Sequence, residues 1–322
     1  MKRKKLIVII GTILLLCLGY FIADTILYDG AKSKPVRQDG FVATFFAKKN
    51  LENKAAVILI GGGQWGDYWA NEIAKRDMVG LSLPYIGDKD LPRLPEEIEL
   101  EYFAKAINWL SKQKEVDQNK IVVMGASRNA ELALIIACIF PEMVSGAIAY
   151  APSSVSWANT VLPYNSNDIK ASWKYQDKDI PYIPMEKLKG GESYRIDMLD
   201  YWQKGLEKTE VIEQASIKVE EIKGPVLLLS GIDDRVWPSA TMADQIENRL
   251  RASQFKYTIQ NIKYENAGHL ISTAPKLELS SRIGVINIDG KDYEYLYGGT
   301  NEGDYKAKQD AKIKLMEFLK QL

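Results

Sequence analysis

The feature that most constrains the fold of this chain is an alternation of short apolar runs with longer amphipathic stretches. The clearest apolar runs are 55–60, 78–83, 121–125 and 226–230, and a stretch such as 96–113 repeats apolar residues at helical spacing. Uncharged runs of this length are typical of parallel strands buried on both faces, which requires helices on both sides of the sheet. The sequence therefore predicts an α/β fold with a mostly parallel central sheet covered by helices on both faces.

One long stretch interrupts this alternation, from about residue 153 to 223, where periodicity is weak and Trp, Tyr and Pro are frequent. Long irregular excursions in a compact domain are usually functional. We expect this insertion to be a lid or pocket wall; the alternative is a surface segment that only packs. A second irregular stretch, 275–303, contains Asp289-Gly290, which predicts a hairpin turn. The globular domain as a whole is expected over residues 40–322.

The first 23 residues predict a membrane segment. Four basic residues at 2–5 precede an uncharged run of 18 residues, 6–23, which is at the lower limit for a helix that crosses a bilayer. The basic residues should keep the N-terminus in the cytoplasm and place the domain outside it. An uncleaved anchor is preferred, since no small-x-small cleavage site follows the run; secretion after signal cleavage and a buried soluble helix are the alternatives. The polar residues 24–39 predict a linker.

Composition offers no support for several classes of function. The chain has 42 Lys plus Arg and 42 Asp plus Glu, so the net charge is zero and no basic patch for nucleic acid stands out beyond the N-terminus. The two cysteines, Cys17 and Cys138, have no C-x-x-C partner and no histidine at zinc-binding spacing. We expect neither a metal nor another cofactor.

A candidate nucleophile lies at Gly125-Ala126-Ser127-Arg128-Asn129, between a predicted strand and a predicted helix. The G-x-S-x-G pattern at such a junction is a nucleophile elbow, a tight turn that needs small flanking side chains and exposes the serine hydroxyl at the carboxyl end of the sheet. The chain matches this pattern at Gly125 and departs from it at Asn129, a residue that tolerates strained backbone better than most.

The candidate acid and base follow in the order that this architecture uses, Ser then Asp then His. The strand 226–230 leads into a loop with Asp233 and Asp234, and the only histidine of the chain, His269, follows the next predicted strand. Asp234 is preferred as the acid because it stands three residues after Gly231, and Asp233 is then a helper or simply exposed. The alternatives are a solvated acidic loop and a structural histidine.

Acyl chemistry also needs hydrogen-bond donors for a tetrahedral oxyanion. The backbone N–H of Arg128, the residue after the nucleophile, is one candidate. The second is expected from the glycine-rich loop 61–66, at Gly63 or Gln64, because glycine lets a backbone turn its amides inward. A phosphate-binding loop is the alternative, but the Gly-Lys-Ser/Thr that accompanies such loops is missing.

Several stretches together resemble one family. They are Gly61-Gly62-Gly63, Leu100-Glu101-Tyr102-Phe103 with Ala106 and Trp109-Leu110, Gly125-Ala126-Ser127-Arg128 with Glu131-Leu132-Ala133-Leu134, Lys223-Gly224-Pro225-Val226-Leu227-Leu228, Gly231 with Asp233-Asp234 and Trp237-Pro238, and Tyr297-Gly298-Gly299-Thr300 before a closing helix. They are similar to the catalytic domain of the acyl-CoA thioesterase and bile acid-CoA:amino acid N-acyltransferase family, from roughly Phe41 to the C-terminus.

The resemblance implies an α/β-hydrolase fold, cleavage of acyl thioesters, and a triad of Ser127, Asp234 and His269. Family members with a cysteine nucleophile favour transfer to an amino acid and those with serine favour hydrolysis, so Ser127 points to hydrolysis of an ester or thioester. The expected partner is therefore a small acyl ester or thioester. Acyl transfer to an amine and a catalytically silent, membrane-anchored binding module are the alternatives.

The chain departs from the family pattern in three ways. A membrane segment, through residues 6–23, stands where the family has an N-terminal β-sandwich domain. Asn129 replaces the usual glycine of the elbow. A domain that faces away from the cytoplasm would also not meet cytoplasmic acyl-CoA. The resemblance to the family therefore predicts the fold and the triad of this chain better than it predicts the substrate.

Overall fold

The computed structural model describes residues 2–28, 30–159, 168–275 and 282–322. Its helices are α1 (Lys2–Tyr28), α2 (Gly63–Ala74), α3 (Glu101–Leu110), α4 (Arg128–Ile139), α5 (Met198–Leu206), α6 (Thr209–Ala215), α7 (Ser239–Ala252) and α8 (Asn301–Leu319). Its strands are β1 (Ala31–Gln38), β2 (Phe41–Lys48), β3 (Lys54–Ile60), β4 (Val79–Leu83), β5 (Ile98–Glu99), β6 (Val116–Ala126), β7 (Ala147–Tyr150), β8 (Trp173–Tyr175), β9 (Lys178–Asp179), β10 (Val226–Gly231), β11 (Ile259–Tyr264), β12 (Ile283–Ile288) and β13 (Lys291–Leu296).

The central sheet has eight strands in the order β1-β2-β4-β3-β6-β7-β10-β11. The pairs from β4 to β11 are parallel, whereas β1–β2 and β2–β4 are antiparallel. The predicted mostly parallel sheet is thus confirmed. Because parallel strands point the same way, the residues that follow β3, β6, β10 and β11 meet at one carboxyl edge.

Strand β3 shows why the apolar runs are continuous. Ala56, Ile58 and Ile60 point into one core cluster, which holds the buried faces of α3, α4 and α7. Val57 and Leu59 point into a second cluster on the opposite face, with apolar side chains of α2 and α8. Both faces of the strand are buried, so neither can carry polar residues, and the expected helices on both sides of the sheet are present.

The predicted linker over 24–39 is wrong. Helix α1 continues to Tyr28, and 31–38 form β1, which pairs with β2 along its whole length. The strand escaped notice because it is an edge strand whose exposed positions are polar, and because Pro35 is tolerated at an edge. Asp39-Gly40, both with positive φ, forms the turn between the two strands, and this dipeptide is a hairpin signal.

The insertion, residues 153–223, builds a small core of its own; its residues 160–167 lie outside the described ranges. The core is aromatic and sulfur-rich, with Trp157, Trp202, Met185 and Met198 packed together with Trp237 from the loop after β10. The predicted hairpin turn is confirmed, since Asp289 and Gly290 join β12 to β13, whereas 276–281 lie outside the described ranges.

The N-terminal helix contains a stretch, Lys4–Ala23, that is long and apolar enough to cross a membrane. Its 20 residues would extend about 30 Å along a helix axis, which equals the thickness of a bilayer's hydrocarbon core. None of this stretch is buried against the rest of the chain. Length and composition are therefore compatible with either a membrane anchor or a signal sequence.

Candidate active site

Ser127 lies in the sharp turn between β6 and α4, as the sequence predicts. Its φ is +57°, a conformation that is strained for any residue except glycine and typical of a nucleophile elbow. A Cβ added to Gly125 would lie only 1.9 Å from the carbonyl oxygen of Asn129, so no side chain fits at that position. The serine hydroxyl is thereby placed at the carboxyl edge of the sheet.

His269 and Asp234 lie in line with Ser127. Nε2 of His269 is 3.0 Å from the Ser127 Oγ, and Nδ1 is 2.8 Å from Oδ2 of Asp234. Because an ionised carboxylate can only accept, the proton of a neutral imidazole is on Nδ1, which leaves the Nε2 lone pair free to accept the Ser127 proton. The histidine and the aspartate are both buried, with 9% and 4% of their surface exposed.

The Asp234 carboxylate is held by four hydrogen bonds in all. Oδ2 accepts from the Ser239 hydroxyl (2.6 Å) as well as from His269, and Oδ1 accepts from the backbone N–H groups of Val236 (2.9 Å) and Trp237 (3.2 Å). Asp233, the other acid of this loop, is part-exposed and has no described contact with the histidine. This arrangement fixes one oxygen of Asp234 against the imidazole.

The turn that carries His269 is hydrogen-bonded to two helices, α8 and α2. Asp304 of α8 accepts from the N–H of Gly268 at 2.7 Å, and burial raises the pKa of this carboxyl. On the other side, the indole N–H groups of Trp65 and Trp69 in α2 donate to the Ser272 carbonyl at 3.1 and 2.8 Å. Sequence patterns did not single out these residues, because each acts through a contact distant in the chain.

The candidate oxyanion donors lie at two helix starts. Arg128 and Gly63 are the first residues of α4 and α2, and Gln64 is the second residue of α2. The first N–H groups of a helix have no acceptor within it, so these three amides depend on an acceptor from outside their helices. The strands before them, β6 and β3, are neighbours, and α2 is tied to the His269 turn by its tryptophans.

Asn129, the departure from the elbow pattern, is accommodated by the glycine-rich loop. Its Oδ1 accepts from the Tyr85 hydroxyl at 2.8 Å. A Cβ added to Gly61 would lie 2.2 Å from the Asn129 Nδ2, so the amide occupies space that a side chain at 61 would need. The missing glycine of the elbow is thus compensated by a glycine in the neighbouring loop.

No candidate metal site accompanies these residues in the described part of the chain. Among residues 2–28, 30–159, 168–275 and 282–322, no group of three or more His, Cys, Asp or Glu side chains is placed to hold a metal ion. What the arrangement can do on its own is remove a proton from a serine hydroxyl.

Comparison with known proteins identifies the family of the chain. The family described as BAAT/acyl-CoA thioester hydrolase, C-terminal, matches residues 98–322, which include the serine, the aspartate and the histidine. The chain is 28% identical over 308 residues to human acyl-coenzyme A thioesterase 6, covering 94% of this chain and 68% of that protein. It is 30% identical over 296 residues to mouse mitochondrial acyl-coenzyme A thioesterase 2, covering 91% and 60%.

A transferase is among the relatives too. Mouse acyl-coenzyme A amino acid N-acyltransferase 2 is 27% identical over 214 residues, which cover 66% of this chain and 47% of that protein. The chain therefore spans about half to two thirds of the length of these curated relatives.

Solved structures support the fold. An esterase of Pyrobaculum calidifontis superposes with a TM-score of 0.50 at 16% identity, covering 89% of this chain and 85% of that one. A dienelactone hydrolase-like promiscuous phosphotriesterase from metagenomic libraries superposes with a TM-score of 0.52 at 12% identity, covering 91% and 99%. The resemblance noted in the sequence is confirmed: the chain belongs to the BAAT/acyl-CoA thioester hydrolase C-terminal family.

Proposed function

We propose that this protein is a serine hydrolase that cleaves an ester or thioester through Ser127, His269 and Asp234. The observation that carries the proposal is the chain of two hydrogen bonds, 3.0 Å and 2.8 Å long, that links the three side chains. Membership of a family named for acyl-CoA thioester hydrolysis supports a thioester as one class of substrate.

In the first step, Nε2 of His269 takes the proton of the Ser127 hydroxyl as its Oγ attacks the acyl carbonyl. The carbonyl oxygen becomes an oxyanion, which the N–H groups of Arg128 and of Gly63 or Gln64 stabilise. When the tetrahedral intermediate collapses, the bond to the leaving group breaks and the imidazolium returns its proton to the departing alcohol or thiol. Asp234 orients the imidazole and stabilises its charged form.

In the second step, water attacks the acyl-Ser127 ester. His269 now takes a proton from the water, and the second tetrahedral intermediate releases the carboxylic acid and restores the serine hydroxyl. No cofactor takes part in either step.

Acyl transfer is the second candidate, favoured by the similarity to a mouse amino acid N-acyltransferase. An amine would then replace water in the second step. Incubation of the protein with an acyl thioester, with and without added glycine or taurine, separates the two reactions. We expect free acid in both incubations; an N-acyl amino acid as the main product with the amine present would favour transfer.

A fluorophosphonate probe tests the enzyme against the alternative of a silent binding module. The probe reacts with an activated serine, so we expect it to label the wild-type protein and not Ser127→Ala. Ser145→Ala is the matched control, since this serine precedes β7 at the opposite edge of the sheet, and it should be labelled like wild type. Absence of labelling on folded wild-type protein would overturn the proposal.

We further propose that 6–23 anchor the protein in a membrane with the catalytic domain outside the cytoplasm. The basic residues at 2–5 and the exposed apolar surface of α1 support this placement.

A further inference from the structure

The side chain of Arg128 extends into the insertion from the turn between β6 and α4 that carries Ser127, which we call the nucleophile turn. Its Nη2 donates to the Ser172 hydroxyl at 2.6 Å and to the Trp157 carbonyl at 3.2 Å. The guanidinium also lies over the Trp173 ring, 5.5 Å from its centroid. A third acceptor of Nη2 is the Ala158 carbonyl at 3.4 Å. Arg128 therefore carries a candidate oxyanion N–H on its backbone and contacts four residues of the insertion with its side chain.

Glu131, one helical turn further along α4, completes this contact. It forms an ion pair with Arg128, and its Oε1 accepts from the backbone N–H of Trp157 (3.1 Å) and from the indole N–H of Trp173 (2.8 Å). The Glu131 side chain is fully buried. A buried carboxylate is unfavourable unless it is paired and hydrogen-bonded, so moving the insertion away from α4 would leave it without two of its donors.

The same part of the insertion also connects to the base. Trp157 packs edge-on against Trp202, Trp202 against Trp237, and Trp237 against the His269 ring, with centroid distances of 4.7, 5.4 and 5.9 Å. All three tryptophans are almost completely buried. The insertion thus contacts Arg128, the residue after Ser127, directly, and it reaches His269 through Trp237 of the loop after β10.

We propose that Arg128 and Glu131 are positioning residues. Through this ion pair of a part-buried arginine and a fully buried glutamate, the insertion holds the Arg128 N–H at the oxyanion and so accelerates the chemical step. The proposal rests on the proposed serine hydrolase function. Because the pair acts on the transition state, its loss should lower kcat much more than it changes KM.

The test compares kcat and KM for hydrolysis of p-nitrophenyl butyrate by the full chain in detergent. The double variant Arg128→Met/Glu131→Gln removes both charges together, so no buried charge is left unpaired and the fold should be retained. We expect kcat to fall about 10- to 100-fold with KM changed less than about threefold. Inactivation by the fluorophosphonate should slow by a similar factor. The conservative Arg128→Lys, which keeps the charge and loses the planar fork, should lie between.

Arg249 and Glu220 provide the matched control. This part-buried pair also holds the insertion against the rest of the domain, because Arg249 of α7 donates to both carboxylate oxygens of Glu220, near the C-terminal end of the insertion, at 2.6 Å. Neither residue has a described contact with the nucleophile turn. Arg249→Met/Glu220→Gln should lower thermal stability while kcat per folded molecule stays within about twofold of wild type. Equal losses of kcat in the two double variants would show that any fastening of the insertion suffices, and would overturn a specific role for Arg128 and Glu131.

Two further results separate the possible failures. If Arg128→Met/Glu131→Gln does not fold, the kcat of Trp173→Phe tests the proposal instead, because this substitution removes one donor to Glu131 and keeps an aromatic ring. Unchanged kcat in Trp173→Phe would overturn the proposal. Wild-type kcat in a folded Arg128→Met/Glu131→Gln would overturn it as well. If wild-type hydrolysis itself does not depend on Ser127, the proposed function fails instead.

Discussion

At the scale of single residues, the nucleophile turn shows how a departure from a pattern can be absorbed. The elbow needs glycine at 125, where the carbonyl of Asn129 leaves no room for a side chain. At 129 the chain carries an amide, which fits because residue 61 is a glycine and because Tyr85 donates to it. A pattern written in one stretch of sequence is thus satisfied by two stretches that are neighbours only in the fold.

His269 provides the sharpest test at this scale, since it is the only histidine in the chain. Because no other imidazole can act as the base, His269→Ala should lower kcat by about 10³-fold or more in an assay with p-nitrophenyl butyrate. Circular dichroism checks that the fold is retained. The control is Thr273→Ala, at the end of the same turn, which should stay within about threefold of wild type. Turnover above about a tenth of wild type in His269→Ala would contradict the mechanism.

At the scale of elements, α2 and α8 are joined by an ion pair. Glu72 of α2 contacts Lys312 of α8 at 2.6 Å, and α2 begins at the candidate oxyanion residues Gly63 and Gln64. Burial alone would raise the pKa of Glu72, but hydrogen bonds and charge from Lys312 and Lys75 outweigh burial and lower the pKa to about 2. A carboxylate with a lowered pKa stabilises the folded state most above its unfolded pKa.

This shift predicts a pH-dependent loss of stability in Glu72→Gln. At pH 7 the free energy of unfolding of the variant should be about 1–2 kcal/mol lower than that of wild type. This difference should shrink by more than half at pH 3, because the stabilisation by the Glu72 carboxylate is lost as the pH falls from about 4.5 to about 2. Urea unfolding at the two pH values measures it. Glu302→Gln is the control, because its pair with Lys306 is exposed and should have no measurable effect. A difference that stays constant from pH 7 to pH 3 would contradict this assignment.

At the scale of the whole molecule, the sheet collects residues that are far apart in the chain. Ser127 and His269 are 142 positions apart and 3.0 Å apart in space, because β6 and β11 are parallel members of one sheet. The insertion adds contacts with Arg128 and Glu131 of α4. The apolar stretch of α1, Lys4–Ala23, is not buried against the rest of the chain.

The proposed orientation of the whole molecule can be checked with a reporter fused after Leu322. The positive charges at 2–5 should hold the N-terminus in the cytoplasm, so alkaline phosphatase, which is active only outside it, should be active in the fusion. Changing all four of these residues to Glu should reduce that activity, and it serves as the control. Activity restricted to a reporter that works only in the cytoplasm would overturn the outward placement.

The sequence by itself determined much of the chain's local structure. The buried strands and most helices follow from apolar periodicity, and the turn at Ser127 follows from the pattern of small residues around it. The candidate order Ser127, Asp234, His269 was predicted from the order that this architecture uses. These signals are readable because they reflect hydrogen bonding and burial within a few residues. β1 was predicted as linker because an edge strand with polar exposed positions carries little of that signal.

Only the tertiary structure decided how these pieces act on one another. The buried contact of Glu131 with the insertion, the bond from Ser239 to Asp234 and the fit of Asn129 against Gly61 each join residues from different elements or loops. The physical reason is that a side chain's partner depends on packing over the whole sheet, whereas a strand or helix pattern records only which face of its own segment is buried.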